Sequence, residues 1–245
     1  KIVIPGILFI LIIAGYATAC WMEIGKHTDK LWLHRCNSVE KYEEMKERFP
    51  NIETDIILRE NSTAGFFDVT HDEEVSFHLP IDSILAHLRE NREGKIWLDI
   101  KNLNTSNCLE TRERLTKILE TYGICKEKVI IESNSSEALE PFTKIGYYTA
   151  YYVYLPHPSD LSQEKQDSCI SLLQDVVDSK RVCALSFPFW WYAPIKSGLD
   201  RETDLLTWMH RTTEWEFFLL PWKRKVLDDD QVKVILIKSK GNFHR

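Results

Sequence analysis

The stretch "LWLHRCNS", Leu31–Ser38, combines a short apolar run with a basic pair, and this combination recurs in altered form along the chain as apolar runs that end in polar residues. Three apolar residues typical of a buried strand run directly into His34 and Arg35. Strands of a parallel sheet that is covered on both faces are nearly continuous apolar runs. Active sites of α/β barrels lie at the carboxyl ends of such strands. The stretch therefore predicts a buried strand that carries a basic pair to a functional edge.

Seven further apolar, β-rich runs follow along the chain. The eight predicted strands are Leu31–Cys36, Ile52–Leu58, Lys95–Ile100, Val129–Glu132, Tyr148–Leu155, Val182–Phe187, Leu205–His210 and Val232–Ile237. Amphipathic helical patterns separate most of them, and the first of these begins at Ser38, a good helix-capping residue. This alternation predicts a parallel α/β barrel of the TIM (β/α)8 type, with an open doubly wound sheet as the alternative.

One segment interrupts the alternation. The stretch "GFFDVTHDEE", residues 65–74, reads as an extra short strand that folds back as a hairpin on the second strand. No Pro/Gly-rich linker divides the chain, so residues 31–245 are predicted to form a single barrel domain.

The composition is that of an ordinary globular protein. The 245 residues are 44% hydrophobic and 28% charged, and the formal net charge is -6. This acidic balance argues against a nucleic-acid partner, because such proteins usually carry a basic surface. It leaves room for local basic groups that bind an anionic ligand.

The N-terminal residues 1–20, "KIVIPGILFILIIAGYATAC", differ from the rest of the chain. A lysine, a long apolar run and small residues before Cys20 predict an export signal. The ending Ala17–Cys20 is similar to a bacterial lipobox, in which the cysteine is acylated. An uncleaved membrane anchor is the alternative. Residues 21–30 would then form a tether, and the protein would be exported or anchored at the cell envelope.

Polar side chains recur at the ends of the predicted strands. The candidates are His34 and Arg35 on the first strand, Glu53 and Asp55 on the second, His71 on the hairpin, Asp99 and Lys101 on the third, and Glu132 on the fourth. Residues spaced by two on a strand point to the same face. Three carboxylates on one face suit a hard divalent cation, Mg²⁺ or Ca²⁺.

The other candidates suit chemistry on an anion. Two histidines on separate elements suit a general acid and a general base, and Arg35 and Lys101 suit the binding of a phosphate group. Together with a metal, this set predicts phosphodiester cleavage rather than acyl transfer.

The motifs "HR", "ETD", "FDVTHD", "LDIK" and "IIES" occur in this order between Leu31 and Ser133. In this order they resemble the glycerophosphodiester phosphodiesterases, in the phospholipase-C-like TIM-barrel superfamily that includes sphingomyelinase D. The resemblance implies an acid–base pair of His34 and His71 and phosphate contact by Lys101. The resemblance further implies that Glu53, Asp55 and Asp99 bind the metal ion. Glu132 and Trp208, the latter in "LLTWMH", are expected at the site wall.

The chain also departs from that family. Cys36 follows the His-Arg pair where glycine is usual, the "PENT" segment is missing, and Asp99 replaces the usual glutamate, as in the sphingomyelinase D branch. Two hypotheses therefore stand. The first is a metal-dependent hydrolase of a glycerophosphodiester or related lipid headgroup. The second is a catalytically silent envelope barrel that binds a phosphate-bearing lipid or glycan.

Overall fold

Eight parallel strands surrounded by helices make up the folded body of the protein. The computed structural model describes residues 3–24, 26–27, 29–59, 65–213, 220 and 225–239. The elements are α1 Val3–Ile24, β1 Leu31–Leu33, α2 Val39–Met45, β2 Ile52–Arg59, β3 Phe66–Val69, α3 Ile81–Leu88, β4 Ile96–Ile100, α4 Cys108–Thr121, β5 Val129–Ser133, α5 Ser136–Lys144, β6 Tyr148–Tyr152, α6 Gln163–Asp178, β7 Ala184–Pro188, α7 Tyr192–Gly198, β8 Asp204–Thr213 and β9 Val232–Lys238. Two segments lie mostly outside the described residues. The first is residues 59–65, "RENSTAG", around which the sequence predicts the turn of the hairpin, and the second is residues 212–230, whose sequence is compatible with helix or strand.

The sheet closes on itself. Strand β1 pairs in parallel with β2, through Leu33 and Ile52, and with β9, through Leu31 and Ile235. The remaining parallel pairs run β2–β4–β5–β6–β7–β8–β9. An open doubly wound sheet would have two unpaired edges, so the closed pairing confirms the predicted TIM barrel and excludes the alternative.

The predicted hairpin is also confirmed. Strand β3 lies antiparallel against β2, with Ile56 opposite Val69 and Arg59 opposite Phe66. β2 extends past the level of Asp55, and β3 runs back along this extension as far as Ile56. His71 follows two residues after the last residue of β3 and so lies near the carboxyl end of the barrel.

Two hydrophobic cores result from the alternation of side chains along the strands. The inward-facing set, here called the apolar interior, consists of Trp32, Trp97, Ile130, Ala150, Ala184, Leu206, Val234 and Leu236. The outward-facing residues of the same strands pack against the helices in a larger core, for example Leu33, Ile52 and Leu98. Each strand is thus buried on both faces, which explains its nearly continuous apolar sequence.

The first strand and first barrel helix are shorter than predicted. Strand β1 ends at Leu33 because Arg35 takes a left-handed backbone conformation, with a φ of 52°, which cannot continue a strand. Helix α2 begins as expected after Ser38, whose Oγ accepts a hydrogen bond from the Lys41 backbone N at 3.1 Å. It ends at Met45, and hydrogen-bonded turns continue to Phe49, the residue before Pro50, where the α conformation is disfavoured.

Helix α1 covers most of the predicted signal or anchor segment and continues past Cys20 to Ile24. The apolar side chains of residues 7–13 are exposed. Among the helices as far as the structure describes them, none meets the length and hydropathy that a membrane crossing requires. The predicted export or anchoring role of this segment stays a prediction.

Candidate active site at the carboxyl end of the barrel

The turn after β1 is held from two directions. The left-handed backbone of Arg35 directs its N–H to Glu53 Oε2, at 2.6 Å. From helix α2, the Lys41 ammonium group donates to the carbonyl oxygens of His34, at 2.8 Å, and of Arg35, at 2.7 Å. Lys41 is buried, and this burial lowers its pKa. The chain therefore presents His34 and Arg35 at the barrel mouth in a fixed conformation.

Three buried carboxylates meet beside this turn. The pairing of β2 with β4 places Asp55 opposite Asp99, and Glu53 lies two residues before Asp55 on the same face. One oxygen atom from each of the three groups lies within 4.8 Å of the other two. The structure thus brings together the three carboxylates, here called the carboxylate cluster, that the sequence placed at two strand ends.

Lys101 and Asn37 partner the cluster on one side. The Lys101 ammonium group contacts Asp55 Oδ1 at 2.7 Å and also contacts Asp99 Oδ2. Asn37 donates from Nδ2 to Asp55 Oδ2, at 2.7 Å, and accepts from the Asp55 backbone N, at 3.0 Å. Burial acts to raise the pKa of Asp55, but Lys101 and Asn37 outweigh it and hold that pKa below its ordinary value. Asp55 is therefore the carboxylate of the cluster whose ionised form has the best partners.

The other two carboxylates are less well compensated. Burial, reinforced by the charges of Asp55 and Asp99, raises the pKa of Glu53 well above its ordinary value. Burial also raises the pKa of Asp99, where Asp55 adds to the effect and Lys101 opposes it. Both side chains therefore hold a proton more tightly than they would in water, which indicates that the site has too little positive charge nearby.

This donor set fits a hard divalent cation. Three carboxylate groups face one ammonium group in direct contact, so negative charge is in excess, and oxygen atoms are the preferred ligands of Mg²⁺ and Ca²⁺. Glu53, Asp55 and Asp99 would hold such an ion.

His71 has a tautomer that its hydrogen bonds define. Arg35 Nη2 lies 2.7 Å from His71 Nε2, and a guanidinium group can only donate, so Nε2 accepts. His71 Nδ1 then carries the proton and donates it to Asp72 Oδ1, at 2.8 Å. His71 is accordingly a neutral imidazole with the Nε2 lone pair turned toward the guanidinium of Arg35.

His34 lies on the Glu53 side of the cluster. Its Nε2 is 3.9 Å from Glu53 Oε2, and its buried Nδ1 has no hydrogen-bond partner within the part of the chain that the structure describes. Burial, with a further contribution from the Arg35 charge, lowers the pKa of His34 well below its ordinary value. Both histidines are thus near the cluster, through Glu53 for His34 and through Arg35 for His71.

Glu132 lies next to Asp99 across the β4–β5 pair and is buried. Its Oε2 accepts from Trp97 Nε1 at 2.9 Å, and its Oε1 is in contact with Ser186 Oγ. Burial and then the Asp99 charge raise the pKa of Glu132 well above its ordinary value. Glu132 therefore links the carboxylate cluster to the apolar interior below it.

An aromatic series begins at Trp208. Its ring stacks on Tyr152, with centroids 5.3 Å apart and planes at 3°, and Tyr152 stacks in turn on Tyr154, at 6.2 Å and 25°. Trp208 is half-buried, whereas Tyr154 is 81% exposed. The series thus extends from the barrel strand to solvent.

Sequence reasoning missed several of these residues. Asn37 belongs to the strand-end stretch quoted above, and its position two residues after Arg35 could have suggested it. Lys41 lies on a helix rich in charges, where a lysine is expected in solvent, and no sequence signal distinguishes it. Tyr152 and Ser186 are brought to the site by β6 and β7 through the closure of the barrel.

Comparisons with known proteins agree with this architecture. No protein-family model and no characterised protein sequence matches the chain. A glycerophosphodiester phosphodiesterase from Parabacteroides distasonis superposes with a TM-score of 0.56 at 14% identity, covering 85% of this chain and 92% of its own. A structure from Galdieria sulphuraria assigned to the same activity gives 0.56 at 18% identity, covering 85% and 93%. The expected resemblance is confirmed in the fold.

The same fold also carries other reactions. Phosphoribosyl anthranilate isomerase from Thermococcus kodakaraensis matches with a TM-score of 0.51 at 11% identity, covering 86% of this chain and 88% of its own. Identities this low define the barrel and not the reaction. Function has to be argued from the site itself.

Proposed function

We propose that this barrel is a metal-dependent phosphodiesterase that hydrolyses a glycerophosphodiester or a related lipid-headgroup phosphodiester. The observation that supports it best is the convergence of three buried carboxylates within 4.8 Å at the carboxyl end of a parallel barrel. Burying such a cluster is costly unless a cation compensates for it. That cost is reasonable at a site whose purpose is to bind a metal ion.

The side chains around the cluster suit a phosphodiester. A bound divalent cation would offset the negative charge that develops on the phosphate oxygens. Arg35 and Lys101 are the cations of the site, and both contact members of the cluster, Arg35 through Asp55 at 3.9 Å. A substrate phosphate would compete for these two cations, since it offers the same kind of oxygen acceptor.

His71 is the better candidate for the general base. Its Nδ1–H is held by Asp72, so the Nε2 lone pair is available once the Arg35 guanidinium turns to the phosphate. His34 is then the second acid–base group, on the other side of the scissile bond. A phosphate bound to Arg35 would offset the Arg35 charge, which together with burial lowers the pKa of His34, and so would favour the protonated ring. Glu53, whose Oε2 lies 3.9 Å from His34 Nε2, is the carboxylate that would stabilise the protonated ring.

One observation favours a second candidate function. Arg35 Nη2 donates to the His71 Nε2 lone pair, and the Lys101 ammonium group contacts Asp55 and Asp99. A catalytically silent barrel that binds a phosphate-bearing lipid or glycan would retain these cations without any need for free acid and base groups.

A measurement of turnover distinguishes the phosphodiesterase from the catalytically silent barrel. The full chain would be incubated with bis(4-nitrophenyl) phosphate and with a glycerophosphodiester in the presence of Mg²⁺, Ca²⁺ or excess chelator. We expect metal-dependent cleavage that Glu53→Gln abolishes. Glu137→Gln, which alters an exposed glutamate paired with Arg181, serves as the matched control and should retain turnover. Binding of a phosphodiester without cleavage under any metal would favour the silent barrel.

The location proposed for this activity is the cell envelope. The support is the apolar N-terminal sequence and the exposure of residues 7–13 on α1. Separation of membrane and soluble fractions, with and without residues 1–20, tests it. Equal distribution of both forms would contradict it.

A further inference from the structure

The segment that carries His71, residues 70–79, lies largely at the surface. It leaves β3 after Val69 and returns at Pro80, which bridges to Asp68. Residues 72–78 are all exposed. Local hydrogen bonds such as Val75 N to Asp72 O, at 3.0 Å, are internal to the segment and do not tie it to the barrel. Segments of this kind open readily unless polar contacts anchor them.

Arg59, the last residue of β2, supplies such an anchor. Its Nη1 donates to the carbonyl oxygen of Glu73 and its Nη2 to that of Val75, both at 2.6 Å. Its Nε lies 3.4 Å from Asp68 Oδ2. One side chain thus joins the end of a barrel strand, the hairpin strand and two points of the His71 segment.

Asp68 completes the arrangement from below. Its carboxylate is fully buried, and its Oδ1 accepts from the Leu79 backbone N at 3.2 Å. A buried carboxylate is costly without a cationic partner, and Arg59 is the cation in contact with it. Asp68 therefore fixes the guanidinium and also holds the returning end of the segment.

The guanidinium is the group that this geometry requires. It is planar, with N–H donors in a fixed fork, so it can serve two carbonyls and a carboxylate at once. An ammonium group would keep the charge beside Asp68 but could not span the same acceptors with the same directions.

We infer that Arg59, fixed by Asp68, is a positioning residue for His71, an inference that rests on the proposed function. The path is short. Arg59 holds Glu73, Glu73 follows Asp72, and Asp72 holds the Nδ1–H of His71. Release of the clamp would let Asp72 move and leave the His71 ring held only from its Nε2 side, by Arg35.

A double-mutant cycle tests this in the full chain. Arg59→Met is expected to lower kcat about 10–10²-fold, the scale for misplacing a reacting group by about 1 Å, with KM and metal affinity unchanged. In a His71→Ala background the same change should have no further effect on kcat, because the group it positions is already gone. Arg59→Lys should fall between the parent and Arg59→Met. An equal loss in both backgrounds, or no loss in the parent, would overturn the inference.

A control variant completes the activity test, and two measurements on the structure make it independent of activity. Arg181→Met removes an exposed arginine that bonds Glu137 at 2.5 Å, and it should leave kcat unchanged. Amide hydrogen exchange of residues 70–79 should speed up in Arg59→Met and not in β4 or β5. If the parent cleaves no phosphodiester, the readout becomes the ¹⁵N signals of the His71 ring, and the Nδ1 signal should shift in Arg59→Met because its acceptor Asp72 moves. Unchanged exchange or unchanged ring signals would overturn the clamp whatever the activity.

Discussion

The apolar interior and the carboxylate cluster are built on the same strands, yet they differ in what they do for the protein. Trp97 and Asp99 are two residues apart on β4 and face the same side of the sheet. Trp97 lies in a closed set of apolar side chains, whereas Asp99 faces two other carboxylates. Burial of apolar surface stabilises the fold by roughly 25 cal/mol per Å². Burial of carboxylates without a full set of partners opposes folding.

The contrast indicates how this barrel divides its interior. The apolar side chains close the base and fix the strands, and the strands then hold groups together that would separate in solution. Glu132 marks the boundary, because it accepts from Trp97 Nε1 and lies beside Asp99. Substitutions on the side of the carboxylate cluster should alter turnover, and substitutions in the apolar interior should alter the free energy of unfolding.

The largest effect is expected above the boundary, on turnover. His71→Ala and His34→Ala should each lower kcat about 10²–10⁴-fold, the usual contribution of a general acid or base, with unfolding and metal binding little changed. His87→Ala is the control, since His87 is bound to Glu43 on the outside of the barrel. The measurement is kcat of the parent and all three variants on the same phosphodiester substrate. Near-parent turnover of either site variant would remove that histidine from the mechanism.

Below the boundary the expected effect is on stability. Trp97→Ala should lower the free energy of unfolding by about 3–5 kcal/mol, because it leaves a cavity and deprives Glu132 of a buried donor. Urea unfolding followed by circular dichroism measures it. A loss below about 1 kcal/mol would mean that the apolar interior does not fix the strands as described.

A smaller effect should appear in the pH dependence of the metal-free protein. The pKa of Glu53 is raised in the folded state, so the folded protein binds its proton more tightly than the unfolded chain does, and stability falls as pH rises above the unfolded pKa of about 4.3. The glutamine side chain of Glu53→Gln resembles the protonated form of Glu53, so this variant should not lose stability in this way as pH rises. In excess chelator at neutral pH, Glu53→Gln should exceed the parent by at least about 1 kcal/mol in the free energy of unfolding.

The free energy of unfolding of the parent and of Glu53→Gln is measured at a series of pH values in excess chelator. The two proteins should converge at acidic pH and diverge as pH rises. A parent that is as stable as Glu53→Gln at every pH would show that the cluster is compensated by some other means.

The fold was predictable from sequence because its signals are local. Apolar runs, helical periodicity and polar residues at strand ends can each be recognised within a few residues, and parallel strands bring such ends together. The left-handed turn at Arg35 could not be predicted, since a non-glycine residue seldom adopts it. It shortened β1 relative to the prediction.

The contacts within the site were less predictable than its members. Asn37 donates to Asp55, 18 residues away, and Lys41 turns back from its helix to the carbonyl oxygens of His34 and Arg35. Lys101 was expected to contact a phosphate but contacts Asp55 and Asp99 here. Which oxygen, nitrogen or carbonyl a side chain selects depends on tertiary positions of a few tenths of an ångström. Residue type and spacing do not contain that information.

The most direct test of the carboxylate cluster as a metal site is a crystal of the full chain soaked with Mn²⁺, which replaces Mg²⁺ or Ca²⁺ and can be located by its anomalous scattering. We expect one ion bound by oxygen atoms of Glu53, Asp55 and Asp99 at about 2.0–2.6 Å, and no peak in a parallel soak of Asp55→Asn. An ion bound elsewhere, or no ion with the Lys101 ammonium group still between Asp55 and Asp99, would contradict the assignment.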